Sequence, residues 1–183
     1  MPMSRARQSL MLMFLASLLA VIGVAMQREL APHTALAPAT GGTDRVQAVA
    51  LSPDEEAYAA AMWPIHSETV ETSAVAMSFA GVNYVTEHHD ALRLEAMVTP
   101  LRERFRIAAD KARALAVPRS MRGVHDQYLE ALTLYQSATA EMIKVVEDGA
   151  VEHLIVAQQM SQRAAEDLLK VGDVLWPAEH RPN

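Results

Sequence analysis

The sequence predicts an all-α protein: an antiparallel up-down-up-down four-helix bundle preceded by an N-terminal signal or anchor helix and a flexible linker. Three observations point there. The chain is rich in Ala, Leu, Met, Glu, Gln and Arg, which lose little rotamer freedom in a helix, and has only 7 Gly and 3 Phe. Apolar residues recur at spacings of three and four along four comparable segments. Short connections join those segments, which favours antiparallel neighbours. With 183 residues, 51% of them apolar, the chain is long enough for one domain with its own core.

Residues 1–26 form the first element. Arg5 and Arg7 precede Leu10–Met26, an uncharged run of seventeen residues, LMLMFLASLLAVIGVAM. That exceeds the usual hydrophobic stretch of a signal peptide and lies at the short end of a membrane span. It reads as a signal-anchor transmembrane helix; the small residues Gly23 and Ala25 give cleavage as the alternative. In either case the two arginines hold the amino terminus in the cytoplasm and everything after Met26 faces outward. Residues 27–51, rich in Ala, Pro, Thr and Gly, read as a linker, which if flexible spans about 25 to 30 Å.

Ser52-Pro53-Asp54-Glu55 starts a helix, since a capping serine, a proline at the first position and an acidic first turn satisfy free amide donors and the dipole. Pro64 sits too far inside for comfort, which predicts a short opening helix and then a break or kink at Trp63-Pro64. From His66 a face runs through Val70, Ser73, Met77, Ala80 and Tyr84. The second stripe is Leu94, Met97, Leu101, Phe105, Ala108, Ala112 and Leu115, with a kink at Pro100 or a restart capped by Thr99, and an end at Val117-Pro118. Ser120 caps a third helix with the face Val124/His125, Tyr128, Leu132, Tyr135, Thr139, Met142 and Val146, stopped by Asp148-Gly149. The fourth carries Leu154, Ala157, Ser161, Ala164, Leu168, Val171 and Leu175 and ends at Trp176-Pro177. The bundle therefore covers residues 52–177, about 35 Å long at the helical rise per residue, with 178–183 as a tail.

Composition excludes several classes. The absence of cysteine removes disulfides, iron-sulfur clusters, thiol catalysis and covalent c-type haem attachment. Setting Arg5 and Arg7 aside from the 16 Lys and Arg leaves 14 against 22 Asp and Glu, a formal charge of −8 on the outward part. Nucleic acid is not the expected partner of such a surface. No Gly-x-Ser-x-Gly elbow, phosphate-cradling glycine loop or Glu-x-x-His pair occurs, so nothing points to an enzyme. Charge is distributed unevenly: Arg45 to Arg93 holds seven acids and no base between its ends, while Arg102 to Arg122 holds seven bases against Glu103 and Asp110. Oppositely charged antiparallel neighbours would help fix their own pairing, and a basic face would also suit an anionic partner.

The only two tryptophans each stand directly before a proline. In an up-down-up-down bundle Trp63, His125 and Trp176 meet at one pole with His66 beside them. There the indoles plug the end of the core, a task suited to large rings carrying one polar handle. The alternative is a small-molecule, haem or metal site at the same pole, with His66 and His125 as metal ligands and Glu68 or Asp126 supplying a carboxylate. At the opposite pole, Glu87-His88-His89-Asp90 and Glu152-His153 offer a second acidic and imidazole cluster, equally explained by solvated helix ends. The functional expectation is an interaction or accessory module of an envelope protein or complex, with no cofactor required.

Overall fold

The computed structural model describes residues 51–87 and 89–177. The signal or anchor segment, the tail 178–183 and all of the linker but Leu51 lie outside the described residues. The protein is all helical, with four helices that together form a helical bundle. None of the described helices is long and apolar enough to cross a membrane.

The first helix comprises three consecutive segments: α1 (Pro53–Pro64), a π-helical turn (Ile65–Glu71) and α2 (Thr72–Thr86). Glu55 reaches back to accept from the Ser52 amide at 2.8 Å, the reciprocal half of a capping box. The expected break at Trp63-Pro64 does not occur. Pro64 has φ −63° and ψ −31°, already helical, and the residues on either side of the π turn keep right-handed helical dihedrals. What changes is the register. Proline removes one donor and its ring crowds the carbonyl four residues earlier. The wider turn makes room. Ser67 Oγ then donates to the Trp63 carbonyl at 3.0 Å and Thr72 Oγ1 to the Glu68 carbonyl at 2.8 Å, so side chains serve carbonyls along the altered stretch.

The second helix, α3 (Ala91–Arg113), is capped by Asp90, which accepts from the Arg93 amide at 3.0 Å. It runs uninterrupted through Pro100, so the restart at Thr99 is not adopted. It also ends earlier than Val117-Pro118 suggests, leaving Leu115 in the following turn. A 3-10 turn, Arg119–Met121, leads into α4 (Arg122–Asp148). Ser120 belongs to that turn and does not cap α4; its hydroxyl donates to Glu55 Oε1 at 2.6 Å, tying the α3–α4 connection to the start of the first helix. Gly149 closes α4 at φ 71°, a left-handed position that favours glycine, with its amide on the Val145 carbonyl. The last helix, α5 (Glu152–Leu175), stops at Trp176.

Successive helices pack on one another: α3 on the first helix, α4 on α3, and α5 on α4. Contacts across the last pair fix its direction, because Gln127 meets Asp167 while the later Glu141 meets the earlier His153. The core is continuous from Tyr58 to Trp176. Phe105 and Tyr135 stack at its centre with centroids 4.7 Å apart and planes within 5°. Burial lifts the Tyr135 hydroxyl well above the ordinary phenol range.

Candidate functional site at the tryptophan pole

Aromatic side chains from the first helix, α4 and the end of α5 meet at one pole. Trp63 and Trp176 meet edge to face with centroids 5.1 Å apart. His66, one turn beyond Trp63, stacks on the Trp176 indole at 5.0 Å and faces Tyr128 at 6.1 Å. Trp176 is buried, and its Nε1–H donates to the Ala59 carbonyl at 3.0 Å, so the polar handle of the ring is satisfied inside the protein. Its place at the end of α5 and that carbonyl in α1 join the last helix to the first.

His125 reaches the same pole through a different partner. Its Nδ1 lies 2.8 Å from the Tyr58 hydroxyl, and the two rings meet edge to face at 6.1 Å. Burial pushes the His125 imidazole below the usual histidine range, with the Asp126 carboxylate pulling the other way. The Tyr58 phenol is pushed up to about 12, by burial first and by Asp126 second. Both groups are therefore neutral at pH 7. Tyr128, wholly buried beside them, has its ionisation driven further up by desolvation. Its hydroxyl has no hydrogen-bond partner among the described residues.

Sequence reasoning named Trp63, His66, His125 and Trp176, and the structure brings all four to this pole. It missed Tyr58, whose hydroxyl lies at hydrogen-bond distance from His125 Nδ1 and orients the ring. The signal was present, because Tyr58 stands one helical turn before Met62 on the inward side of α1, but a separate opening helix hid that relation. Among the described residues no group of three or more His, Asp or Glu side chains is arranged to hold a metal ion.

No protein-family model, curated protein or solved structure matches this chain.

At the opposite pole His88 lies outside the described residues. His89 adopts φ 53°, and its Nδ1 lies 2.8 Å from the Tyr84 carbonyl, while Glu87 pairs with Arg93. His153 is held between two acids, Nδ1 at 2.6 Å from Glu141 and Nε2 at 3.0 Å from Asp148. Those two hydrogen bonds, that to Glu141 first, raise the imidazole above its usual range.

The basic stretch is distributed differently from a ladder of pairs between helices. Arg106 is taken up by Glu103 and Asp110 of its own helix, and Arg113 also turns to Asp110. Arg102, Arg104, Lys111, Arg119 and Arg122 make no ion pair among the described residues. The Arg93 to Glu87 bridge is the one that joins the first helix to the second among the described residues.

Proposed function

We propose that the chain is a membrane-anchored, outward-facing up-down-up-down bundle that serves as an interaction or accessory module for another protein or complex of the cell envelope. The observation that carries this reading is the filled tryptophan pole. The place where a bundle of this kind would hold a ligand is occupied by the protein's own indoles, Tyr58 and the two imidazoles, packed on one another and hydrogen-bonded. Large apolar side chains stand outside instead: Phe79, Leu92, Ile107, Val156, Leu169 and Val174 are all exposed. These exposed side chains leave apolar area on the bundle surface that another protein could cover.

Anchoring is supported by the uncharged run Leu10–Met26 behind Arg5 and Arg7, and the acidic balance of the remainder disfavours nucleic acid. The decisive experiment is mild detergent extraction of the intact protein from native membranes, followed by size analysis and mass spectrometry. A stoichiometric envelope partner is expected. Recovery of the chain alone under all extraction conditions would overturn the accessory reading.

A second reading has one observation in its favour. The orphaned Tyr128 hydroxyl in the core beside His66 gives a small molecule, a haem or a metal ion one polar group to engage at this pole. Elemental analysis and a visible spectrum of the purified protein test it directly; blank results in both would remove it.

A further inference from the structure

The outer face of the α4–α5 hairpin carries an open groove of about 620 Å³. Leu129, Leu134 and Met160 give it an apolar floor, and all three are only partly buried by the bundle itself. Glu130 stands on its α4 wall, and Arg163 with Asp167 one turn beyond on its α5 wall. Neither Glu130 nor Arg163 is well matched within the chain. Arg163 is 73% exposed and touches Asp167 only at 3.7 Å, whereas Glu130 makes no ion pair among the described residues.

The register of the two helices decides what can cover this groove. Gln127 lies across from Asp167. Moving about one turn from that pair, in opposite directions along the antiparallel helices, brings Glu130 level with Arg163; one turn further, Leu134 is level with Met160. A two-fold axis parallel to the helices and centred over the groove would exchange the walls without changing the level. It would seat Glu130 of one copy over Arg163 of the other, twice, and Leu134 over Met160, twice. Asp167 would stand level with Gln127, one turn from the Glu130 of the other copy. A surface with this property is self-complementary, the requirement for an isologous dimer.

We propose that this groove is a homodimer interface, in which two copies lay their α4–α5 faces together about a two-fold axis parallel to the helices. That axis also leaves both Ser52 ends at the same pole, so two copies can be anchored in one bilayer. This last point rests on the anchored reading; the charge and register argument does not.

Sedimentation of the full chain in non-ionic detergent micelles tests the proposal. The wild type is expected to be a dimer at micromolar concentration. Glu130→Arg or Arg163→Glu alone places like charges together at both symmetric contacts and should raise the dissociation constant about tenfold or more. The double exchange should return it to within about threefold of wild type. Circular dichroism of each variant reports folding separately.

A second measurement needs no charge change. The chain has no cysteine, so Leu134→Cys and Met160→Cys proteins can be mixed and oxidised. Disulfide dimers between the two variants should form faster than either variant forms them with itself. A monomeric wild type, or cross-linking without preference for the mixed pair, would overturn the proposal. A monomer that still co-purifies with an envelope partner would leave the accessory reading intact, and a dimer with no other partner would remove that reading while leaving this one.

Discussion

The indoles of Trp63 and Trp176 meet edge to face at 72°, joining the end of α1 to the residue that terminates the last helix. Trp176 adds a hydrogen bond to the Ala59 carbonyl at 3.0 Å. This contact closes the bundle, because elsewhere the helices are held mainly through their neighbours in sequence.

Removing the ring should therefore loosen the pole as a whole. Trp176→Ala is expected to cost about 3 to 5 kcal/mol, the range for deleting a large buried aromatic. Trp176→Phe keeps most of the packing and loses the N–H donor, at a cost of about 1 kcal/mol. Urea unfolding followed by circular dichroism measures both; equal losses for the two variants would mean that the ring's volume contributes little.

The Tyr58–His125 pair makes the same pole sensitive to acid. The folded imidazole lies below its ordinary value of 6.5, so the unfolded chain binds the proton more readily. The stability held by the neutral ring is present in full above that ordinary value and is lost as pH falls toward the lowered folded one. A His125→Gln variant should thus show a flatter dependence of unfolding midpoint on pH between about 7 and 5. Parallel profiles for the two proteins would remove the assignment.

His153 behaves in the opposite sense. Its folded value is raised above 6.5 by the bonds to Glu141 and Asp148, so its contribution is full below that ordinary value and fades as pH rises through the raised one. The carboxylates set the lower edge. Glu141 is held down first by Lys144 and then by His153, and Asp148 first by the Ala150 amide and then by His153, so their contributions fade as pH falls through the lowered values. His153→Gln should accordingly differ most from wild type near pH 5 to 6 and converge with it toward about pH 9. Thermal melts at these pH values supply the comparison.

The π turn makes a prediction about chain length. A single π turn carries one residue more than the α-helical register around it. Deleting the exposed Glu68 from Ile65–Glu71 should let that stretch relax to α-helix with both flanking faces still aimed inward. Deleting Ala76 from α2 has no spare residue to absorb and rotates everything beyond it. The first deletion is expected to retain a cooperative unfolding transition and the second to lose it.

Much of the fold was legible because burial follows helical spacing. In the second stripe Leu94, Leu101, Phe105, Ala108 and Ala112 are buried as the period requires, and in the third so are Tyr128, Leu132, Tyr135, Thr139 and Met142. Met97, Leu115 and Val146 are only partly buried, whereas the neighbouring Val98 and Val145 face the core instead. Gly149 and Trp176 terminate their helices where local chemistry places the ends. Proline was the weaker guide. Its lost hydrogen bond could be absorbed by a register change at Pro64 and within a continuous helix at Pro100, and a local rule does not say which outcome the packing will select. The pole was predicted from topology, so Trp63, His66, His125 and Trp176 were found together. Tyr58 was hidden because its placement depends on α1 continuing without a break. The Glu141–His153–Asp148 clip was equally hidden, since it needs the register across the α4–α5 turn, which no local pattern specifies.

The convergence of the two indoles can be observed directly, because the chain contains only 2 Trp. In a protein labelled selectively at tryptophan, nuclear Overhauser cross-peaks between the two ring systems are predicted from their 5.1 Å centroid separation. Two ordered indoles with no cross-peak between them would contradict the closed pole and, with it, the account of how this bundle is held together.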